Sequence, residues 1–194
     1  CNIHLTMAMD QLLVLLVSFV YVVHACGPDP RHDQSVYCNS QYVFTGILTQ
    51  FDKSAEESTY RMFVTSNLKG QITSSLRQNV NVYSFGYMYS CAPPTVTLNQ
   101  EYLIYANKDP WTNQPRIKAL HSVDQTKRLR NYDCYCKIDL KLPRSAPVIN
   151  NVPKNSKCEL TGVTDTCAVR NGYCGRDWSR LGQGACKWFT STCS

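Results

Sequence analysis

The 194 residues contain no Asn-x-Ser/Thr sequon, so no N-linked glycan is expected. Histidine is scarce: only His32 and His121 lie beyond residue 25. No nucleophile motif sits near either, and Asp133 and nearby acids make no recognisable acid/base pair, so an enzyme is not expected. An apolar run of bilayer length is also missing. Leu12 to Val23, broken only by Ser18, falls short of the roughly 20 residues a membrane helix needs. The run fits the apolar core of a signal peptide, and Val23-His24-Ala25 ends on a small residue as a cleavage site should. No Lys or Arg precedes the run, which departs from the usual signal pattern; the competing reading is a buried N-terminal helix. Met7 or Met9 is the expected start, with Cys1 to Thr6 upstream of it. Residues 1–25 are therefore set apart, and a secreted, extracellular chain is expected to begin at Cys26. There is no internal repeat and no low-complexity segment.

Cysteine is plentiful. Leaving Cys1 aside, ten remain: Cys26, Cys38, Cys91, Cys134, Cys136, Cys158, Cys167, Cys174, Cys186 and Cys193. An even number behind a signal peptide reads as a disulfide framework. Zinc is disfavoured, because Cys134-Tyr135-Cys136 is too tight for zinc-ligand spacing and histidines are few. From Cys26 onward the net charge is +7 with His neutral, since Asp10 is the only charged residue before it. That charge attracts polyanions such as matrix polysaccharides, and equally serves solubility.

The stretch Cys26 to Cys38 opens on a cysteine that would carry a free α-amino group after cleavage. An amine held beside its own carbonyl is a small chelate, and points to a metal in a partner protein. Strands are expected over Gln41–Thr49, with a bulge at Gly46, and over Tyr60–Asn67, Val80–Tyr89, Glu101–Ala106 and Arg116–His121. Phe51 to Thr59 and Asp109 to Pro115 read as turns, and Ser122 as the N-cap of a helix reaching about Tyr132. The class is mainly β: a five-stranded barrel of the oligonucleotide/oligosaccharide-binding type over residues 26–134, with a flanking helix. Residues 135–194 hold six cysteines and many glycines and form a small disulfide-rich subdomain with little apolar core. Nucleic-acid binding would suit the charge and the row Tyr83, Phe85, Tyr87, Tyr89. Aromatics at strand spacing are more often core and cross-strand pairs, and export argues against nucleic acid.

Three stretches and a tail resemble the tissue inhibitors of metalloproteinases, whose N-terminal part is a netrin-like domain. Cys26 to Cys38 has the family's spacing of twelve between its first and third cysteines, with Pro30, His32 and Gln34 matching and Asn39-Ser40 following. Glu101-Tyr102-Leu103-Ile104 resembles a family strand, and Cys134-Tyr135-Cys136-Lys137-Ile138 the junction between its two domains. Cys174-Gly175-Arg176-Asp177-Trp178, Ala185-Cys186 and Cys193 follow the end of the second domain. The family begins Cys-x-Cys, whereas Pro28 stands here, and no cysteine lies around Ala119 to His121, where the partner would be. Both halves of one bridge are missing together.

The resemblance implies a monomeric inhibitor of zinc metalloproteases, of the matrix metalloproteinase or ADAM type, with no cofactor of its own. Cys26 would chelate the protease zinc through its amine and carbonyl. Gly27, Pro28, Asp29, Tyr89, Ser90, Cys91 and Ala92 would complete the protease-binding edge. The implied bridges are Cys26–Cys91, Cys38–Cys134, Cys136–Cys193, Cys158–Cys167 and Cys174–Cys186. The first closes a loop of about 65 residues, worth roughly 4 kcal/mol by chain entropy. Gly27 stands where the family has Ser or Thr, so the protease's specificity pocket is left unfilled and the backbone loosened, while Pro28 restrains it. Weaker or differently selective inhibition is therefore expected. The alternative is a non-inhibitory netrin-like module that binds matrix polysaccharide or a receptor.

Overall fold

The structure is a computed structural model that describes residues 32–88, 95–141, 156–161, 172–179 and 184–189. A short helix α1 (Asp33–Asn39) precedes five strands: β1 (Tyr42–Lys53), β2 (Glu57–Lys69), β3 (Asn79–Phe85), β4 (Glu101–Lys108) and β5 (Pro115–Ser122). A 3-10 turn (Val123–Gln125) and α2 (Thr126–Leu129) follow. Two small sheets come last, a parallel pair β6 (Lys137–Lys141) and β7 (Lys157–Thr161), and an antiparallel pair β8 (Tyr173–Asp177) and β9 (Ala185–Phe189).

The five strands close a barrel in the order β1-β2-β3-β5-β4. Its interior is the inward row of each strand: Phe44 and Leu48, then Tyr60, Met62 and Val64, then Val82, then Tyr102, Ile104 and Ala106. β1 and β4 are buried on both faces, because Val43, Leu103 and Tyr105 point outward under Val36 and Tyr37 of α1 and Leu129 of α2. That is why Glu101–Ala106 reads as a nearly continuous apolar run. Gly46 sits at a register shift between β1 and β2, and a Cβ there would lie 3.1 Å from the Phe63 carbonyl oxygen. The expected bulge is thus present, and close backbone approach keeps the position small.

The β3–β5 seam is thin, a single parallel pair Tyr83–Arg116. Side chains reinforce it. The Arg116 guanidinium reaches Glu57 at the start of β2 (2.9 Å) and Asp109 in the β4–β5 turn (3.2 Å), and lies over the Phe85 ring.

Three expectations change. The turn expected over Phe51 to Thr59 is shorter, since β1 runs to Lys53 and β2 starts at Glu57. The strand expected to reach Tyr89 ends at Phe85. The helix after Ser122 is only a 3-10 turn and four α-helical residues. Ser122 has the extended backbone of an N-cap but makes no capping bond, and the chain leaves the helix to bring Tyr132 against α1.

The bridges divide similarly. Cys38–Cys134 forms as implied. Cys136, however, pairs with Cys186 and not Cys193, and Cys158 pairs with Cys174 and not Cys167, so the implied Cys174–Cys186 bridge is not made. The register of β8 and β9 gives the reason. Cys174 faces Trp188 while Cys186 faces Arg176, so the two cysteines are diagonal neighbours. Diagonal Cα atoms lie about 7–8 Å apart, beyond the usual disulfide span. Cys174 bonds instead to Cys158 on β7, and Cys186 to Cys136 just before β6. Cys136, Cys158 and Cys174 form a buried cluster with Ile138, Cys186 and Trp188 around them. Cys26, Cys91, Cys167 and Cys193 lie outside the described residues. Among the described residues no helix is long and apolar enough to cross a membrane.

Truncating the barrel core is expected to cost what a large buried cavity costs. Ile104→Ala should lower unfolding free energy by about 2–5 kcal/mol in a denaturant titration. Trp111→Ala, at a side chain 90% exposed on the β4–β5 turn, should change it by less than about 0.5 kcal/mol.

Candidate functional site

The expected protease-binding residues Cys26, Gly27, Pro28, Asp29, Tyr89, Ser90, Cys91 and Ala92 all lie outside the described residues. What is described is the frame from which both arms depart: His32 at the start of α1, and Met88 just beyond β3.

α1 has seven residues, too few to persist alone in water. Its start is capped by buried His32, whose Nδ1 accepts the Gln34 backbone N–H (3.2 Å). The cap therefore leaves the ring proton on Nε2. Asp33, in the first turn, suits the positive end of the helix. Its Oδ2 accepts hydroxyl bonds from Tyr132 (2.6 Å) and Tyr105 (3.1 Å), and its Oδ1 lies 2.9 Å from His121 Nε2. Burial pushes the Asp33 carboxyl up, but the bonds from His121, Tyr132 and Tyr105 outweigh it and hold the group below its usual value. Burial and the Asp33 charge push both tyrosines up.

Gln34 carries the second anchor. Its Nε2 donates to the carbonyl oxygens of Cys174 (2.7 Å) and Asp133 (3.0 Å), and its Oε1 accepts the Cys174 N–H (2.8 Å). At the far end Lys69 Nζ donates to the carbonyls of Tyr37 (2.9 Å) and Cys38 (2.8 Å), and the Tyr37 carbonyl also accepts the Ser40 N–H (3.2 Å). Burial lowers the Lys69 pKa. Cys38–Cys134 closes this end covalently.

The residues just after β3 are held by a close backbone contact. Gly86, Tyr87 and Met88 donate N–H bonds to the carbonyls of Glu56, Ser54 and Ala55 in the β1–β2 turn. A Cβ on Gly86 would lie 2.3 Å from the Ala55 carbonyl oxygen, so only glycine fits. Tyr87 and Met88 are exposed, with Lys53 Nζ over the Tyr87 ring. The aromatic row is thus divided: Tyr83 half-buried, Phe85 under Arg116, Tyr87 under Lys53, and Tyr89 outside the described residues.

The small sheets join the frame through Asp133, whose Oδ2 accepts Arg176 Nε (2.6 Å). Burial raises the Asp133 pKa, but bonds from Arg176 and the Tyr135 N–H hold it below the usual value. Arg176 also lies over the Tyr135 and Trp178 rings. The sulfurs of Cys136, Cys174 and Cys186 lie within 4.8 Å of one another, but all three are in disulfides and offer no thiolate to a metal.

In the sequence His32 and Gln34 stand out only as letters that match the family, and nothing local marks Asp33, Tyr105 and Tyr132. The partners of Asp33 lie 72 and 99 positions away, so no local spacing signals them. Asp33→Ala should cost at least roughly 1.5–3 kcal/mol, the worth of a hydrogen bond to a charged group. Because the folded pKa of Asp33 is depressed, its contribution is full above the unfolded value of about 4 and is lost as pH falls through the folded value. Urea titrations should therefore show wild type losing stability more steeply below about pH 4 than Asp33→Asn does.

A family model described as the UNC-6/NTR/C345C module matches residues 35–138, from α1 through the barrel to the start of β6. No curated protein matches the chain. The matched span exceeds half of the sequence and coincides with the closed barrel and its bracing helix, and the chain belongs to the UNC-6/NTR/C345C module family.

Proposed function

We propose that this chain is a secreted, non-enzymatic inhibitor of zinc metalloproteases of the matrix metalloproteinase or ADAM type, acting through the N-terminus expected at Cys26. The observation that supports this most is the anchoring of α1. A seven-residue helix is tied down by Asp33, Gln34, Lys69 and the Cys38–Cys134 bridge, and starts seven positions after the expected N-terminus. Seven residues would not hold as a helix on their own, so this bracing is what fixes His32, the residue next to the expected N-terminal segment.

The chemistry follows from the amine. An α-amino group has a reference pKa of about 8, so a sizeable neutral fraction exists at physiological pH. A protease zinc is held by three protein ligands and a water. The neutral amine and carbonyl of Cys26 together would take the place of that water. Gly27 would point at the specificity pocket without filling it, and Pro28 would restrain the backbone beside it. The second reading, a module that binds matrix polysaccharide without touching a protease, is favoured by the net charge of +7 from Cys26 onward.

One added Ala before Cys26 separates the two. It turns the Cys26 nitrogen into an amide, with no lone pair available for zinc, and leaves net charge unchanged. Inhibition of a panel of zinc metalloproteases should be lost while heparin retention stays the same. Equal inhibition by both forms would rule out the chelate; retention without inhibition by either would favour the module. Gly27→Thr should strengthen inhibition by about 1–3 kcal/mol, the worth of a small group filling a pocket. Inhibition constants that stay unchanged across several such proteases would mean that Gly27 does not face the pocket.

A further inference from the structure

Two of the first three residues of the helical frame, His32 and Gln34, are held by the C-terminal sheets rather than by the barrel alone. Gln34 is 1% exposed and Cys174 is fully buried, and the three bonds of the Gln34 amide use both N–H donors and its carbonyl. Two of those groups pair with the backbone of Cys174 as a neighbouring strand would. Cys174 is held in turn by its bridge to Cys158 and by its pairing with Trp188 across β8 and β9. The Trp188 ring packs edge-on against His32, with centroids 5.2 Å apart, and its Nε1 donates to the Glu159 carbonyl (3.0 Å). One cross-strand pair, Cys174 and Trp188, thus grips Gln34 and His32. His32 lies six positions after Cys26, a reach of up to roughly 20 Å when extended.

We propose that the disulfide-stapled β8–β9 hairpin is a positioning element for the N-terminal segment, acting on it through Gln34 and His32. Inhibition by this chain then depends on its C-terminal part, although none of that part need touch the protease zinc. The dependence on inhibition rests on the chelate reading above; the mechanical link between hairpin and helix does not.

The test uses the full secreted chain and compares Trp188→Ala, Trp188→Phe and Gln34→Met with wild type. Trp188→Ala removes the ring from His32, and Trp188→Phe restores an aromatic edge. Gln34→Met keeps length and bulk but not the hydrogen bonds. Two quantities are read: the inhibition constant against a matrix metalloproteinase, and hydrogen exchange at the α1 amides, with exchange in β1 and β4 as the measure of global stability. Trp188→Ala should raise the inhibition constant at least tenfold and speed exchange in α1 relative to β4, and Trp188→Phe should recover most of both. Gln34→Met should act in the same direction, and Trp188→Ala carries the test alone if Gln34→Met does not fold. Unchanged α1 exchange in Trp188→Ala would overturn the link, as would a change matched by β4 and not rescued by Phe. Faster α1 exchange with an unchanged inhibition constant would overturn the positioning role. Absence of inhibition by wild type itself would instead defeat the chelate reading, with α1 exchange still deciding the link.

Discussion

The structure depends on one partly buried carboxylate. Asp33 takes hydroxyl bonds from Tyr105 on β4 and Tyr132 beyond α2, and stands beside His121 on β5. Three separate parts of the chain meet on its two oxygens. Taking a carboxylate out of water is costly unless it is fully hydrogen-bonded, so this arrangement tolerates only one seating of the helix that carries it. Once Asp33 is seated, Gln34 faces Cys174, Tyr37 packs edge-on against Tyr105 and Tyr132, and Cys38 meets Cys134.

That helix also explains why the barrel tolerates two apolar faces on β1 and β4. Val43, Leu103 and Tyr105 would be an exposed patch without Val36, Tyr37 and Leu129 over them. Burial on that face and hydrogen bonding at Asp33 therefore act on the same few residues. Removing either would expose the other to water, and this makes the bracing of α1 part of the fold as much as part of a binding site.

The barrel was legible in the sequence because its signals are local. Met62 and Val64 alternate with Arg61 and Thr65, Gly46 announces its bulge, and the Glu101–Ala106 run marks a doubly buried strand. α1 was not legible as a helix: it is short and capped by a histidine, which is not among the usual N-cap residues. Cys158–Cys167 and Cys174–Cys186, implied by cysteine order alone, do not form because that order carries no register. The offset of Cys174 against Cys186 across β8 and β9 becomes visible only once Cys174 is seen facing Trp188. The frame of the candidate site was hidden for a related reason. Gln34 and Cys174 are 140 positions apart, and the contact joins a side-chain amide to a backbone, which leaves no paired letters to find.

A double-mutant cycle on Asp33 and Tyr132 tests the seating of α1 most directly. Asp33→Ala, Tyr132→Phe and the double variant would be unfolded in urea near neutral pH, beside wild type. The account predicts strong non-additivity: the double variant should be less destabilised than the summed single variants by about 0.5–3 kcal/mol, the range for residues in one hydrogen-bonded network. Additive losses, with no coupling between the carboxylate and the Tyr132 hydroxyl, would contradict it.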